Sequence, residues 1–173
     1  MNIAYLHGLE SSIDPKDPKI IWLNNNFKTV YTPSINYRDP SSFDKILRKI
    51  KAMNPQYIVG SSVGGYFAYL IGSKLGINTI LFNPAVVDRS FNPEFNATGL
   101  KGANHSVFLG KSDTTISGTR ILKYFSKEGV GLFNTKYYTG GHRVPADIFI
   151  NSIQKVTGIN EIYNKNKYNN IKI

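Results

Sequence analysis

The pentapeptide Gly60-Ser61-Ser62-Val63-Gly64 has the pattern G-x-S-x-G. It follows the apolar run Gln56-Tyr57-Ile58-Val59 and opens a stretch, Val63 to Leu75, that is apolar nearly all round. This context predicts a strand, a tight turn and a buried helix. Such a turn pushes the Ser62 hydroxyl out above the sheet, where it can act as a nucleophile. Gly60 and Gly64 suit the turn because side chains there would meet crowded backbone. Gly65 lets the helix pack closer still. The start of the helix presents free N–H groups, and its dipole favours negative charge developing nearby.

A serine hydroxyl needs a base, and the base needs an orienting acid. The chain has only three histidines. His142 follows an apolar run in Thr139-Gly140-Gly141-His142 and is the expected base. His105 comes just before a predicted strand, at the wrong end of the sheet, and reads as structural or surface. For the acid, Asp113 comes three residues after a predicted strand, in Leu109-Gly110-Lys111-Ser112-Asp113. Asp88 competes, because it follows Asn83-Pro84-Ala85-Val86-Val87. Gly110 marks a tight turn and a short loop, which favours Asp113. The resulting chain order, Ser62, Asp113, His142, is that of α/β-hydrolases and of neither chymotrypsin nor subtilisin.

The oxyanion formed in acyl transfer needs two N–H donors. Val63, the residue after the nucleophile, supplies one. The loop His7-Gly8-Leu9 supplies the other through the Leu9 N–H, with Gly8 permitting close backbone approach. His7 has a supporting place beside this loop.

These residues need a scaffold that gathers strand ends. Short apolar runs at Ile3–Leu6, Thr29–Thr32, Tyr57–Val59, Thr79–Phe82, Ser106–Leu109 and Leu132–Tyr138 read as strands, the third stopped by Gly60. Helices are expected at Lys19–Asn26, at Phe43–Met53 with Ser41 or Ser42 as cap, and at Val63–Leu75. Two more are expected at Thr119–Lys127 and at Pro145–Val156. Alternating strands and helices predict an α/β fold: a mainly parallel sheet of about six strands with helices on both faces. Ligands of such sheets bind outside the carboxyl ends of the strands. The expected organisation is a single domain over 1–173, with 88–104 as a small lid. The Asn- and Lys-rich tail, 160–173, has a composition suited to loose order.

The 173 residues suffice for one domain with a real core. There is no Cys, which excludes disulfides, Cys-based zinc sites and a cysteine nucleophile. The longest purely apolar run, Tyr66–Ile71, is far too short to span a membrane. The opening MNIAYLHGLESS carries no basic n-region, so no secretory signal is expected and a cytoplasmic location is the default. The net charge of +10 raises the question of nucleic acid. The basic residues are dispersed, however. The densest cluster, Lys45–Lys51, interleaves with Phe43, Ile46, Leu47, Ile50 and Met53 at helical spacing, so its charges form a solvated face. Neither a nucleic-acid nor a membrane partner is expected.

Four segments resemble the YqiA-like (UPF0227) esterase family of small bacterial α/β-hydrolases. They are Tyr5-Leu6-His7-Gly8-Leu9-Glu10-Ser11-Ser12, Gly60-Ser61-Ser62-Val63-Gly64-Gly65-Tyr66 with Ala68, Asn83-Pro84-Ala85-Val86, and Gly140-Gly141-His142. The resemblance implies a compact α/β-hydrolase that cleaves carboxylic esters, with Ser62 as nucleophile, Asp113 as acid and His142 as base. The family usually has one residue between the glycine pair and the histidine and an aromatic two positions on. Here His142 follows Gly141 directly, and Arg143-Val144-Pro145 comes next. A small-molecule ester is the expected substrate, with no metal or organic cofactor. Phe91, Phe95 and Leu100 are placed to line a pocket from the lid or to pack in the core. An acyl thioesterase or acyltransferase would use the same triad, with Arg143 or Lys111 attracting an anionic substrate. A binding protein on a hydrolase fold is the reading from a different class.

Overall fold

The computed structural model describes residues 1–9, 12–89 and 91–159. The expected tail at 160–173, and Glu10 and Ser11 of the first motif, lie outside the described residues. Six strands form one sheet: β1 (Asn2–Leu6), β2 (Thr29–Tyr31), β3 (Tyr57–Ser61), β4 (Asn78–Phe82), β5 (Asn104–Gly110) and β6 (Leu132–Tyr138). Five helices connect or follow them: α1 (Pro18–Asn26), α2 (Ser42–Met53), α3 (Val63–Leu75), α4 (Gly118–Glu128) and α5 (Ala146–Thr157). The strand order is β2-β1-β3-β4-β5-β6, and every pairing is parallel.

Side chains alternate across the sheet because the period of a strand is two. Ala4, Leu6, Ile58, Leu81, Val107 and Leu109 point to one face, where α2, α3 and α4 pack. Ile3, Tyr5, Val59, Ile80, Phe82 and Phe108 point to the other, covered by α1 and α5. The central strands are buried on both faces, which explains their unbroken apolar runs. Edge strand β6 instead leaves Leu132 and Tyr137 exposed.

The chain runs from β1 outward to β2, then crosses back to β3 on the other side of β1. The β1 and β3 ends therefore flank the point where the winding reverses, the usual ligand crevice of such sheets. Ser62 is at the end of β3 and Leu9 in the loop after β1, so the winding brings the two into one place.

Three local expectations need correction. Strand β3 does not stop at Gly60: Gly60 pairs with Leu81 and Ser61 with Phe82, because glycine lacks a side chain but no backbone hydrogen-bonding group. His105 does not precede its strand but is the second residue of β5. Ser41 occupies the N-cap of α2, yet its hydroxyl donates to Asp39 Oδ1 at 2.6 Å rather than capping the helix.

The connection 83–103 holds no helix or strand among the described residues. Phe91 and Phe95 pack against the α2–α3 core, Phe95 edge-on to Phe43 at 5.7 Å. Phe91 borders a cavity with Tyr37, Phe43 and Phe67, away from Ser62. Both are therefore core-packing residues. Of the described residues in 88–104, only Asp88 and Arg89 border the cavities beside Ser62.

Candidate active site

Ser62 lies between the last residue of β3 and the first of α3, with φ 53° and ψ −120°. A non-glycine residue there costs about 1–3 kcal/mol and persists only where its surroundings hold it. Three main-chain bonds do so: Ser62 N–H donates to Phe82 O at 3.0 Å, and Ser62 O accepts from Ala85 N–H at 2.9 Å and Tyr66 N–H at 3.1 Å. The close approach of α3 does the rest. A Cβ on Gly64 would lie 2.6 Å from the Leu6 carbonyl carbon, and one on Gly60 would lie 2.7 Å from Gly65 Cα. Any side chain at either position would drive α3 off the sheet and take Ser62 with it.

His142 stands in the loop after β6. Its Nε2 is 3.0 Å from Ser62 Oγ, and its Nδ1 is 2.8 Å from Asp113 Oδ2. The Asp113 side chain is 2% exposed and that of His142 22%. The other Asp113 oxygen, Oδ1, accepts from Thr115 N–H at 2.8 Å and Ile116 N–H at 3.0 Å. The carboxylate is thus fixed by its own loop and reaches His142 with its free side. Asp88, the competing acid, pairs instead with Arg120 on the surface.

Leu9 and Val63 border the same cavity as Ser62 and His142. Val63 opens α3, where an N–H has no acceptor within the helix. His7 is buried, and both its ring nitrogens are engaged. Ile35 N–H donates to Nε2 at 2.9 Å, which leaves Nδ1 to carry the proton toward Gly8 O at 2.7 Å. Burial lowers its pKa. Its ring holds Gly8 in place and is not presented to Ser62 as a base. His105 is buried at the amino end of the sheet, between Thr79 Oγ1 at 2.7 Å and Val130 O at 2.9 Å.

Asn83 is a residue that motif reading missed as part of the site. It directly follows β4, with φ 42°, and is 1% exposed. Its Nδ2 donates to Tyr138 Oη at 2.7 Å, His142 O at 2.9 Å and Gly141 O at 3.2 Å. Its Oδ1 accepts from Gly110 N–H at 2.8 Å. One amide thus ties the β5 loop carrying Asp113 to the β6 loop carrying His142. Ser112 N–H adds a bond to Gly140 O at 2.9 Å. The signal in the sequence was Asn83-Pro84-Ala85-Val86, which carried the family resemblance but gave Asn83 no role of its own.

Among the described residues, no group of three or more His, Cys, Asp or Glu could hold a metal ion. No helix among them is long and apolar enough to cross a membrane.

The fold is that of the α/β-hydrolases. A hydrolase of the alpha/beta superfamily from Xanthomonas campestris pv. campestris superposes with a TM-score of 0.63 at 16% identity, covering 91% of this chain and 98% of that one. Est1E from Butyrivibrio proteoclasticus gives 0.64 at 12% identity, covering 90% of this chain and 86% of its own. SOBER1 from Arabidopsis thaliana gives 0.58 at 16% identity, covering 90% and 98%. No curated protein matches the sequence. The model of the uncharacterised protein family UPF0227 matches residues 2–105, a stretch that takes in the β1 loop, the Ser62 turn and Asn83, and the chain belongs to that family.

Proposed function

We propose that this protein is a serine hydrolase that cleaves carboxylic esters through an acyl-enzyme on Ser62. The reading rests on one observation above all. Ser62, at φ 53°, His142 and the buried Asp113 form a continuous hydrogen-bonded chain, with distances of 3.0 and 2.8 Å. Ser62 Oγ attacks the ester carbonyl while His142 Nε2 takes its proton. Asp113 holds Nδ1–H and stabilises the imidazolium. The Val63 and Leu9 N–H groups receive the oxyanion, aided by the positive end of α3. Collapse of the tetrahedral intermediate expels the alcohol, which takes the proton from His142. Water, deprotonated by His142, then attacks the acyl-enzyme and releases the acid and Ser62. An acyl thioester would pass through the same steps with a thiol as leaving group. Cytoplasmic action on small molecules belongs to the same reading, with the dispersed positive charge taken as a solvated surface.

Labelling with a fluorophosphonate probe tests this reading, since the probe reacts only with an activated serine. Native protein should label with one equivalent at Ser62 and hydrolyse 4-nitrophenyl esters, and His142→Ala should lose both. Folded native protein that neither labels nor turns over any ester or thioester would leave the binding-protein reading in its place.

A further inference from the structure

Two cavities flank the Ser62–His142 pair. One, of about 410 Å³, is bordered by Tyr5, Ser12, Asp17, Lys19 and Ser61 on the α1 side. The other, of about 570 Å³, is bordered by Val63, Ala85, Asp88, Arg89, Thr115 and Ile116. Leu9, Ser62, His142 and Arg143 border both.

Five charged residues besides the His142–Asp113 pair border these cavities: Asp17, Lys19, Asp88, Arg89 and Arg143. Four are engaged. Lys19 lies 3.8 Å from Asp17, which also caps α1, and reaches Val144 O at 3.4 Å. Asp88 pairs with Arg120. Arg89 stacks over the Tyr66 ring, 4.3 Å from its centroid, and donates to Asn92 Oδ1 and Val86 O. Arg143 is different: among the described residues, none of the ion pairs, side-chain hydrogen bonds or cation–ring contacts includes its side chain. It is the residue after His142, so the two Cα atoms are about 3.8 Å apart. It borders both cavities, so a substrate in either lies next to it.

An unpaired guanidinium prefers a carboxylate or phosphate oxygen to a neutral group, because its N–H fork matches two acceptor oxygens and carries full charge. The remaining polar lining is compatible. Burial raises the Tyr5 phenol pKa, so it stays a neutral donor, and Ser61 beside it has a buried hydroxyl with no hydrogen bond of good geometry. We infer that Arg143 makes this site select esters bearing a negative charge on the acyl or the leaving half. This inference rests on the hydrolase reading of Ser62 and adds the substrate class to it.

Matched ester pairs test it, with spontaneous hydrolysis subtracted. For charge on the leaving half, 4-acetoxybenzoate is compared with its methyl ester. For charge on the acyl half, mono(4-nitrophenyl) glutarate is compared with 4-nitrophenyl pentanoate. In at least one pair, kcat/KM should favour the anion by about tenfold, the size expected of a charge-assisted hydrogen bond. Arg143→Gln should abolish that ratio and Arg143→Glu should invert it. Salt should erode it, since Arg143 is exposed. The same exposure makes loss of the fold in these variants a minor concern, and the ratio corrects for any inactive fraction. Turnover with no anionic preference in either pair, or a preference that survives Arg143→Gln, overturns the role of Arg143 and leaves the hydrolase standing. Failure of probe labelling together with failure of all four esters overturns both.

Discussion

Helix α3 carries a serine near each end, and each meets a histidine. At the amino end Ser62 Oγ is 3.0 Å from His142 Nε2, and near the carboxyl end Ser73 Oγ is 3.4 Å from His105 Nε2. By residue type the two pairs are alike, yet their surroundings differ in every respect that matters to nucleophilic chemistry. Ser62 sits on a strained turn beside open cavities, whereas Ser73 is inside the helix and 1% exposed. His142 has a carboxylate on its second nitrogen, whereas His105 has the Thr79 hydroxyl. Burial pushes the His105 pKa down to about 4, and the backbone bond to Val130 O offsets this only in part. The dipole of α3 supports an oxyanion at its first end and opposes one at its last. A serine beside a histidine is thus only half of a nucleophile. The third group, access and the local field supply the rest.

The largest effect should separate the two serines. Ser62→Ala should lower ester kcat by on the order of 10⁵-fold. Ser73→Ala should leave probe labelling at one equivalent per folded chain. Loss of labelling in the second variant alone would reverse the assignment. Next, Asp113→Asn should cost about 10⁴-fold in kcat by favouring the wrong His142 tautomer. Asp88→Asn should change kcat by less than about threefold, as expected of a surface ion pair.

The buried pair should show itself in stability. His105 titrates near 6.5 when unfolded and at about 4 when folded. The unfolded chain therefore binds the extra proton first as pH falls. The stability from neutral His105 is complete above pH 6.5, declines between 6.5 and 4, and is gone below. The span is up to about 3 kcal/mol. His105→Gln should flatten that part of a urea-denaturation series against pH, and an unchanged slope would count against it. Finally, Asn83→Ala should reduce kcat by about 10²-fold with KM nearly unchanged, by letting the His142 loop drift. A loss confined to Tm would make Asn83 structural only.

Much of this was legible in the sequence, for identifiable reasons. All six strands and five helices among the described residues were anticipated, because a parallel sheet covered on both faces leaves unbroken apolar runs such as Ile80–Phe82. The Ser62 turn was legible because its glycines are steric requirements, and His142 and Asp113 because they follow strand ends. Less legible were features made by distance in space. Asn83 bonds to residues 27 to 59 positions away, and no local pattern records that. Phe91 and Phe95 could not be assigned to lid or core until the place of α2 was known. His105 was placed correctly at the far end of the sheet, but whether it was structural or surface depended on Thr79 and Val130, which are distant in sequence. The paired or unpaired state of Arg143 likewise depends on which carboxylates the fold brings near.

The Asn83 amide also bears on how the protein fails when heated. Loops that carry catalytic groups often loosen well before a core melts, so that activity fades while the fold persists. Here the Asp113 loop and the His142 loop are joined to each other by Ser112 N–H and Gly140 O, and to the end of a central strand by the Asn83 side chain. Parting them means breaking these bonds at the buried end of the sheet. Thermal inactivation and global unfolding should therefore coincide in a single cooperative event.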